Sequence, residues 1–287
     1  MKHLTALLLI LLSIGILFTK AQPQGTDIIY QPEDKRLAEE KLQAFSSKPA
    51  MPISELITEI GLSFLGTPYV AATLENGLEE KLVINLRELD CTTFAENCLA
   101  LARTVKMGKS DFDTFIAQLE KIRYRDGQRR QYPSRLHYFS DWIRNNGQKG
   151  FISDEINQKG VKTDKVINFM STHPNSYPVL KAHPELVDVI ARQEKDLSGA
   201  GLYYFPKNDI SNLYNCLQHG DIVGLTSTID GLDVNHVGIV IRRNNEFYLL
   251  HASQSENKVV VSESPLTEFL KPASKNSGIM IARPLFK

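Results

Sequence analysis

A net charge is missing from this chain: 33 basic residues are balanced by 33 acidic ones. That balance leaves no electrostatic footprint for nucleic acid or another polyanion, so no nucleic-acid partner is expected. Cysteine is scarce, with three in 287 residues, too few for a disulfide scaffold. Neither a CxxC nor an HExxH spacing occurs, so no metal site is read and no cofactor is called for. His137, His173, His183 and His219 are scattered through polar segments and read as surface groups. Internal repeats and low-complexity tracts are absent, and after the first twenty residues no apolar run is long enough to span a bilayer.

The exception at the start reads as a leader. Lys2 and His3 precede an apolar run from Leu4 to Phe18, followed by Thr19-Lys20-Ala21. A basic segment, an apolar segment and a small residue before the cut are the pattern of a secretory signal. Residues 1–21 are therefore expected to be removed, leaving 22–287 periplasmic or secreted. No cysteine follows the run, so neither a lipoprotein anchor nor any stable membrane anchor is expected after removal. An odd number of cysteines in an exported chain leaves at least one thiol free. Cys91 and Cys98 stand roughly 10 Å apart along one predicted helix, too far to bridge. Cys98 with Cys216 is a sterically open pairing, but both read more simply as small buried apolar residues.

Periodicity divides the remainder. Glu33–Phe45 and Ile53–Leu65 carry apolar residues at helical spacing, with Pro52 at the start of the second. Lys81–Leu86 reads as a strand. Phe94, Cys98, Leu101, Ala102 and Val105 form one stripe of a core-facing helix. Ser110 with Asp113 reads as the cap of the next helix, running to Ile122. About 145–215 is polar and proline-rich and reads as an inserted lobe, with a helix near Pro184–Lys195. The last third is β-patterned: Asp221–Leu225, Val234–Arg242, Glu246–His251, Lys258–Ser262 and Gly278–Pro284. Helices first and an antiparallel sheet last give an α+β domain, here 66–287, preceded by a helical segment at 22–65. Asn244-Asn245 is a hairpin signal. A turn there pairs residues so that Ile239 faces Leu250 and His236 comes near position 253, with His251 diagonal to it.

Chemistry gathers at three of these positions. Cys91 precedes the apolar stripe of its helix and follows Asp90, so it belongs to the helix start rather than the core. Unpaired N–H groups at a helix start favour an anion, and a thiolate is the nucleophilic form of cysteine. His236 lies in a strand among alternating residues, on the face of Val234, Gly238 and Val240 if the strand is regular. Gly238 would leave room beside the ring. His236 is the candidate general base and His251 the group that holds it in one tautomer. Tyr69 is a candidate oxyanion donor beside the Cys91 N–H, with a turn tyrosine packed on Pro68 as the plain alternative. Arg135, Tyr138 and Trp142 suggest a polar-aromatic recognition wall, or else a solvated helix face with a core tryptophan.

Five ordered blocks resemble the NlpC/p60 superfamily of cell-wall cysteine hydrolases. They are Leu65-Gly66-Thr67-Pro68-Tyr69-Val70, Asp90-Cys91-Thr92-Thr93-Phe94, His219-Gly220-Asp221-Ile222-Val223, Asn235-His236-Val237-Gly238-Ile239 and Leu250-His251-Ala252-Ser253. The resemblance runs from about residue 60 to the C-terminus. It implies a papain-like core, with the cysteine-bearing helix packed on an antiparallel sheet. Thr92-Thr93 replaces the usual Ser-Gly, and Tyr69-Val70-Ala71-Ala72 lacks the usual Trp-Gly-Gly, where common members hold the free end of a stem peptide. Leu89–Glu96, Ser134-Arg135-Leu136-His137-Tyr138 and the long insertion are instead similar to a Bacteroidetes-type branch, the N-acetylmuramoyl-L-alanine amidase-like family. That likeness implies cleavage of the amide between the muramic lactyl group and L-Ala of a soluble muropeptide, its sugar 1,6-anhydro, during wall turnover. Cys91 is then nucleophile, His236 base and His251 orienter, Asp90 supports the turn, and Thr92 with Arg135, Tyr138 and Trp142 meets substrate. A D-Glu–diamino-acid endopeptidase, an acyltransferase on the same thiolate and a non-catalytic wall-binding module remain as alternatives.

Overall fold

The computed structural model describes residues 27–272 and 274–286; the leader read at 1–21 lies outside them. Four helices come first: α1 (Pro32–Phe45), α2 (Ile53–Leu62), α3 (Cys91–Lys106) and α4 (Phe112–Arg123). Pro32 opens α1, where a missing N–H costs nothing. The cap of α4 is Asp111, whose carboxylate accepts from the Thr114 N–H at 2.8 Å, and not the expected Ser110–Asp113 pair. The strand expected at 81–86 shrinks to Leu82–Val83, which pairs in parallel with Ile28–Ile29.

A fifth helix, α5 (Phe139–Gln148), leads into the polar region. There the region read as an inserted lobe gathers a small apolar cluster of its own, with Ile167, Met170, Leu180, Ile190 and Leu197 buried together. The region supplies β1 (Val161–Thr163), α6 (Val187–Gly199) and β2 (Leu202–Pro206), and both strands join the main sheet. The expected lobe helix is displaced a few residues towards the C-terminus. After β2 come β3 (Ile222–Ser227), β4 (Val234–Arg243), β5 (Glu246–Ser253), β6 (Lys258–Val261) and β7 (Asn276–Pro284). The sheet is antiparallel throughout, in the order β1-β2-β7-β3-β4-β5-β6. The two-residue strand Ile152–Ser153 pairs with the end of β7.

One face of the sheet packs under the helices. Ile222, Val237, Ile239, Ile241, Leu250 and Met280 meet α2 and α3, and Leu42, Leu56 and Ile60 from the first two helices share that core. The opposite face (Val223, Leu225, Val240, Leu249, Ile279) is closed by Leu213, Leu266 and Leu270. Burial on both faces is what lets a sheet of this size form one rigid platform.

The hairpin between β4 and β5 follows the sequence closely. Asn244 and Asn245 adopt φ of 49° and 66°, the left-handed pair that a two-residue hairpin turn requires. Arg243 pairs with Glu246, and Ile239 with Leu250. The start of β4 is not regular. Leu225 pairs with His236 but Thr226 with Val234, so β4 carries an extra residue, Asn235, beside the candidate base. A bulge of this kind bends the strand and re-aims its side chains. Val234 accordingly packs with the helix-side core while Val240 lies in the opposite one, so the common face assumed for a regular strand is broken.

Candidate active site

Asp90 caps α3. Its carboxylate accepts from the Thr93 N–H at 2.7 Å, and the Asp90 N–H donates to the Thr93 hydroxyl at 2.9 Å. This reciprocal box satisfies two otherwise orphaned donors and fixes where Cys91 stands, at the first position of the helix. Tyr69 lies alongside. Leu89 N–H donates to the Pro68 carbonyl and Val70 N–H to the Leu89 carbonyl, so the Pro68–Val70 segment is tied to the residues entering the turn before Cys91. Burial, and after it the proximity of Cys91 and Asp90, raises the Tyr69 phenol, which therefore keeps its proton.

Cys91 is half-buried at the mouth of a cavity of about 320 Å³. The backbone N–H groups of Val237 and Thr92 are directed at its sulfur, and the Thr92 hydroxyl lies 4.0 Å away. The sequence reading expected the helix start to favour the thiolate. Burial and the Asp90 charge outweigh it, pushing the thiol up to about 11 despite those two N–H groups.

His236 lines the same cavity. Its Nε2 stands 2.7 Å from His251 Nδ1, leaving its own Nδ1 as the nitrogen available to the thiol. Among the described residues no thiol–imidazole hydrogen bond is formed in this resting arrangement; such contacts tighten when substrate is bound. Burial, and then the neighbouring His251, pulls His236 down to about 3; burial pulls His251 down to about 4. Near neutral pH the resting site is thus an uncharged thiol with two uncharged imidazoles. His251 is itself buried and held edge-on against Phe269. Gly238 lies against β5: a Cβ there would sit 2.6 Å from Leu249 Cδ1 and 3.1 Å from His251 Cβ. The space left by that glycine is filled by the packing of β5, not by the His236 ring.

The recognition wall divides. Trp142 lines the cavity, stacked on Phe139 at 5.6 Å and 8°. Phe139 in turn sits on Gly224, where any Cβ would collide with its ring at 2.4 Å. Arg135 and Tyr138 do not reach the cavity. Arg135 is buried in an ion pair with Glu75 at 2.6 Å and Glu80 at 3.7 Å. The Tyr138 hydroxyl donates to Glu194 of α6 at 2.6 Å and accepts from the Met170 N–H. Both tie distant segments together, and neither is among the residues that line this cavity. Their partners lie far away in the chain, which is why they looked like surface groups.

His137, read as a surface group, instead lines the cavity with Cys91 and His236. Glu96 and Asp233 line it too, both already engaged. Glu96 accepts from Arg123 at 2.7 Å in a fully buried pair, and Asp233 accepts from the Ser140 N–H and hydroxyl and from the Val234 N–H, each at 2.7 Å. Cys98 and Cys216 are buried and unpaired, on opposite sides of the sheet.

A family profile described as AmiA-like, N-acetylmuramoyl-L-alanine amidase-like, matches residues 59–279. Among solved structures, an N-acetylmuramoyl-L-alanine amidase of Bacteroides uniformis is 39% identical, with 82% of this chain and 99% of that one aligned and a TM-score of 0.77. A Bacteroides fragilis protein described as a putative xylanase is 42% identical over 78% of this chain and 98% of its own, with a TM-score of 0.72. A Legionella pneumophila protein shares the fold at 19% identity, covering 88% of this chain and 96% of that one, with a TM-score of 0.65. No curated protein matches the chain.

Proposed function

This chain belongs to the AmiA-like, N-acetylmuramoyl-L-alanine amidase-like family, and from that premise we propose that it is a cysteine amidase of the papain-like NlpC/p60 type. Its substrate is a peptidoglycan fragment, cut between the lactyl group of N-acetylmuramic acid, in its 1,6-anhydro form, and L-Ala. The reaction belongs to cell-wall turnover outside the cytoplasm, in the periplasm or beyond, after removal of the leader.

The observation that carries this reading is the chain of contacts from the cavity inward. Cys91 at a capped helix start and His236 share one cavity, and His236 is held by His251 from behind at 2.7 Å. His236 Nδ1 takes the Cys91 proton as the sulfur attacks the lactyl carbonyl. His251 Nδ1 accepts from His236 Nε2–H throughout and stabilises the imidazolium that forms. The carbonyl oxygen becomes an oxyanion facing the Cys91 N–H and the Tyr69 hydroxyl. Collapse breaks the C–N bond, and His236 passes its proton to the departing L-Ala amine. Water, deprotonated by His236, then cleaves the thioester and restores the thiol. Because the resting pair is neutral, the thiolate forms only as the proton moves, which suits a nucleophile that must persist in an oxidising compartment.

A glycosidase reading, suggested by the B. fragilis relative's description, needs two available carboxyl groups flanking the sugar bond. The cavity's two, Glu96 and Asp233, are committed to Arg123 and to Ser140 with Val234. The amidase reading is tested by incubating the mature protein with an anhydro-disaccharide tetrapeptide and weighing the products. Disaccharide plus intact tetrapeptide is expected. Sugar carrying L-Ala–D-Glu, with a shortened peptide, would identify an endopeptidase and overturn it.

A further inference from the structure

His236 is aimed by an irregularity in the sheet, and that irregularity is held by side chains that take no part in the proton transfers. Successive residues of a regular strand point to opposite faces. Asn235 and His236 are consecutive, yet both line the cavity beside Cys91 and both line a second, more open groove that includes His251. The extra residue in β4 is what brings them to one border. A second bulge stands across β3 from the first. Asn276 of β7 pairs with Ser227 and Gly278 with Thr226, so Ser277 is the extra residue there. β3 therefore runs between two strands that each skip a residue beside Thr226, and the Thr226 and Ser277 hydroxyls lie 2.8 Å apart.

The Asn235 side chain ties the two bulges together. Its Nδ2 donates to the Lys275 carbonyl at 3.2 Å, and its Oδ1 accepts from Asn276 Nδ2 at 2.5 Å. The Lys275 carbonyl can only accept, so it decides which way the Asn235 amide points, and Asn276 must be the donor. β4 and β7 are not neighbours. With adjacent strands about 4.8 Å apart, this amide pair spans the width of β3. Before the bulge, Asp233 anchors the chain as well: its carboxylate accepts from the Ser140 N–H and hydroxyl of α5, and its carbonyl from the Ser227 N–H at 2.8 Å. The bulge is thus pinned at Asp233 and again at Asn235. A bulge that slips by one residue turns its neighbours to the other face, so the pins hold the direction of the ring that follows them.

We propose that Asn235 and Asn276 are positioning residues for the base: their amide pair locks the β4 bulge and so keeps the His236 ring between Cys91 and His251. This rests on the cysteine amidase reading and adds to it the device that aims its base.

Asn235→Ala and Asn276→Ala each cut the pair. Asn235 is exposed, so Asn235→Ala is expected to fold with a melting temperature close to that of the unmodified protein, whatever happens at the buried Asn276. Each variant should lower kcat on a muropeptide about tenfold with KM within about twofold, since aim is lost and binding is not. The double variant should lose no more than either single one, because all three cut the same link. Nitrogen-15 spectra of the histidine rings give a readout that needs no turnover. His236 should show one tautomer, Nε2–H, in the unmodified protein and a mixture in both single variants. A raised KM at unchanged kcat would make Asn235 a substrate contact and overturn the proposal. So would losses that add in the double variant, or an unchanged kcat and tautomer in folded Asn235→Ala protein. A muropeptide left uncut by the unmodified enzyme, with the tautomer still shifting in the variants, would fail the amidase reading alone. The predicted cut, made at unchanged kcat by the variants, would fail the positioning role alone.

Discussion

The His236 Nε2 and the His251 Nδ1 meet at 2.7 Å with their rings 87° apart. Two neutral imidazoles can share such a contact only if one donates and the other accepts. A base with its lone pair towards the thiol must donate from Nε2, so His251 accepts and carries its own proton on Nε2. His251→Ala should therefore lower kcat by about 10²-fold with little change in KM, since it removes orientation and not binding. His251→Asn, which can still present an oxygen to Nε2–H, should retain a larger share. Steady-state kinetics on a muropeptide decide this; equal losses in both variants would deny His251 an orienting role.

The same two histidines make stability depend on pH. Their folded values, about 3 and about 4, lie below the ordinary 6.5, so below about pH 6.5 the unfolded chain takes up protons that the folded chain refuses. Their contribution is complete above that pH and is lost as pH falls through it towards 4 and 3. Each imidazole is expected to cost roughly 1.4 kcal/mol per pH unit within that window. Urea unfolding at pH 7, 6 and 5 should show a falling midpoint, and His251→Asn should flatten the slope.

Gly238→Ala is expected to damage the site from behind. The added methyl would meet Leu249 and the Cβ of His251, displacing the residue proposed to orient the base. Overpacking of this kind costs about 1–3 kcal/mol, and activity should fall more steeply than the melting temperature suggests. A variant with unchanged kcat would mean that β5 yields without moving His251.

Asp90 has two separable effects, a cap and a charge. Asp90→Ala should lose about 1 kcal/mol of stability with the cap. Asp90→Ser keeps an acceptor for the Thr93 N–H and removes the carboxylate that helps to raise Cys91. Alkylation of Cys91 by iodoacetamide across pH should then shift to lower pH in Asp90→Ser protein. An unshifted profile would assign the raised thiol to burial alone.

What the sequence revealed was what neighbours in the chain determine. The Asn244-Asn245 turn and the alternation around it set the pairing of Ile239 with Leu250, and the position of Cys91 ahead of the apolar stripe placed it at the start of α3. What it concealed depended on partners far away. Arg135 looks solvated until Glu75 and Glu80 are folded against it, and Tyr138 until Glu194 arrives on α6. His137 looks like a loop histidine until its Nε2 meets the Tyr132 carbonyl and the fold sets it among the residues lining the cavity. β2 (Leu-Tyr-Tyr-Phe-Pro) sits in a polar, proline-rich stretch and becomes a strand because β7 offers an edge to pair with.

The two-residue turn at Asn244-Asn245 therefore acts as the reading frame of the candidate site. His251 is counted off from that turn along β5 and His236 along β4, and side chains alternate faces with every step. A single residue added to or deleted from the turn would leave every side chain of the proposed catalytic set in the protein but present the wrong faces to one another. On the proposed mechanism, the length of this surface turn is thus as much a part of the catalytic apparatus as the histidines it sets in phase.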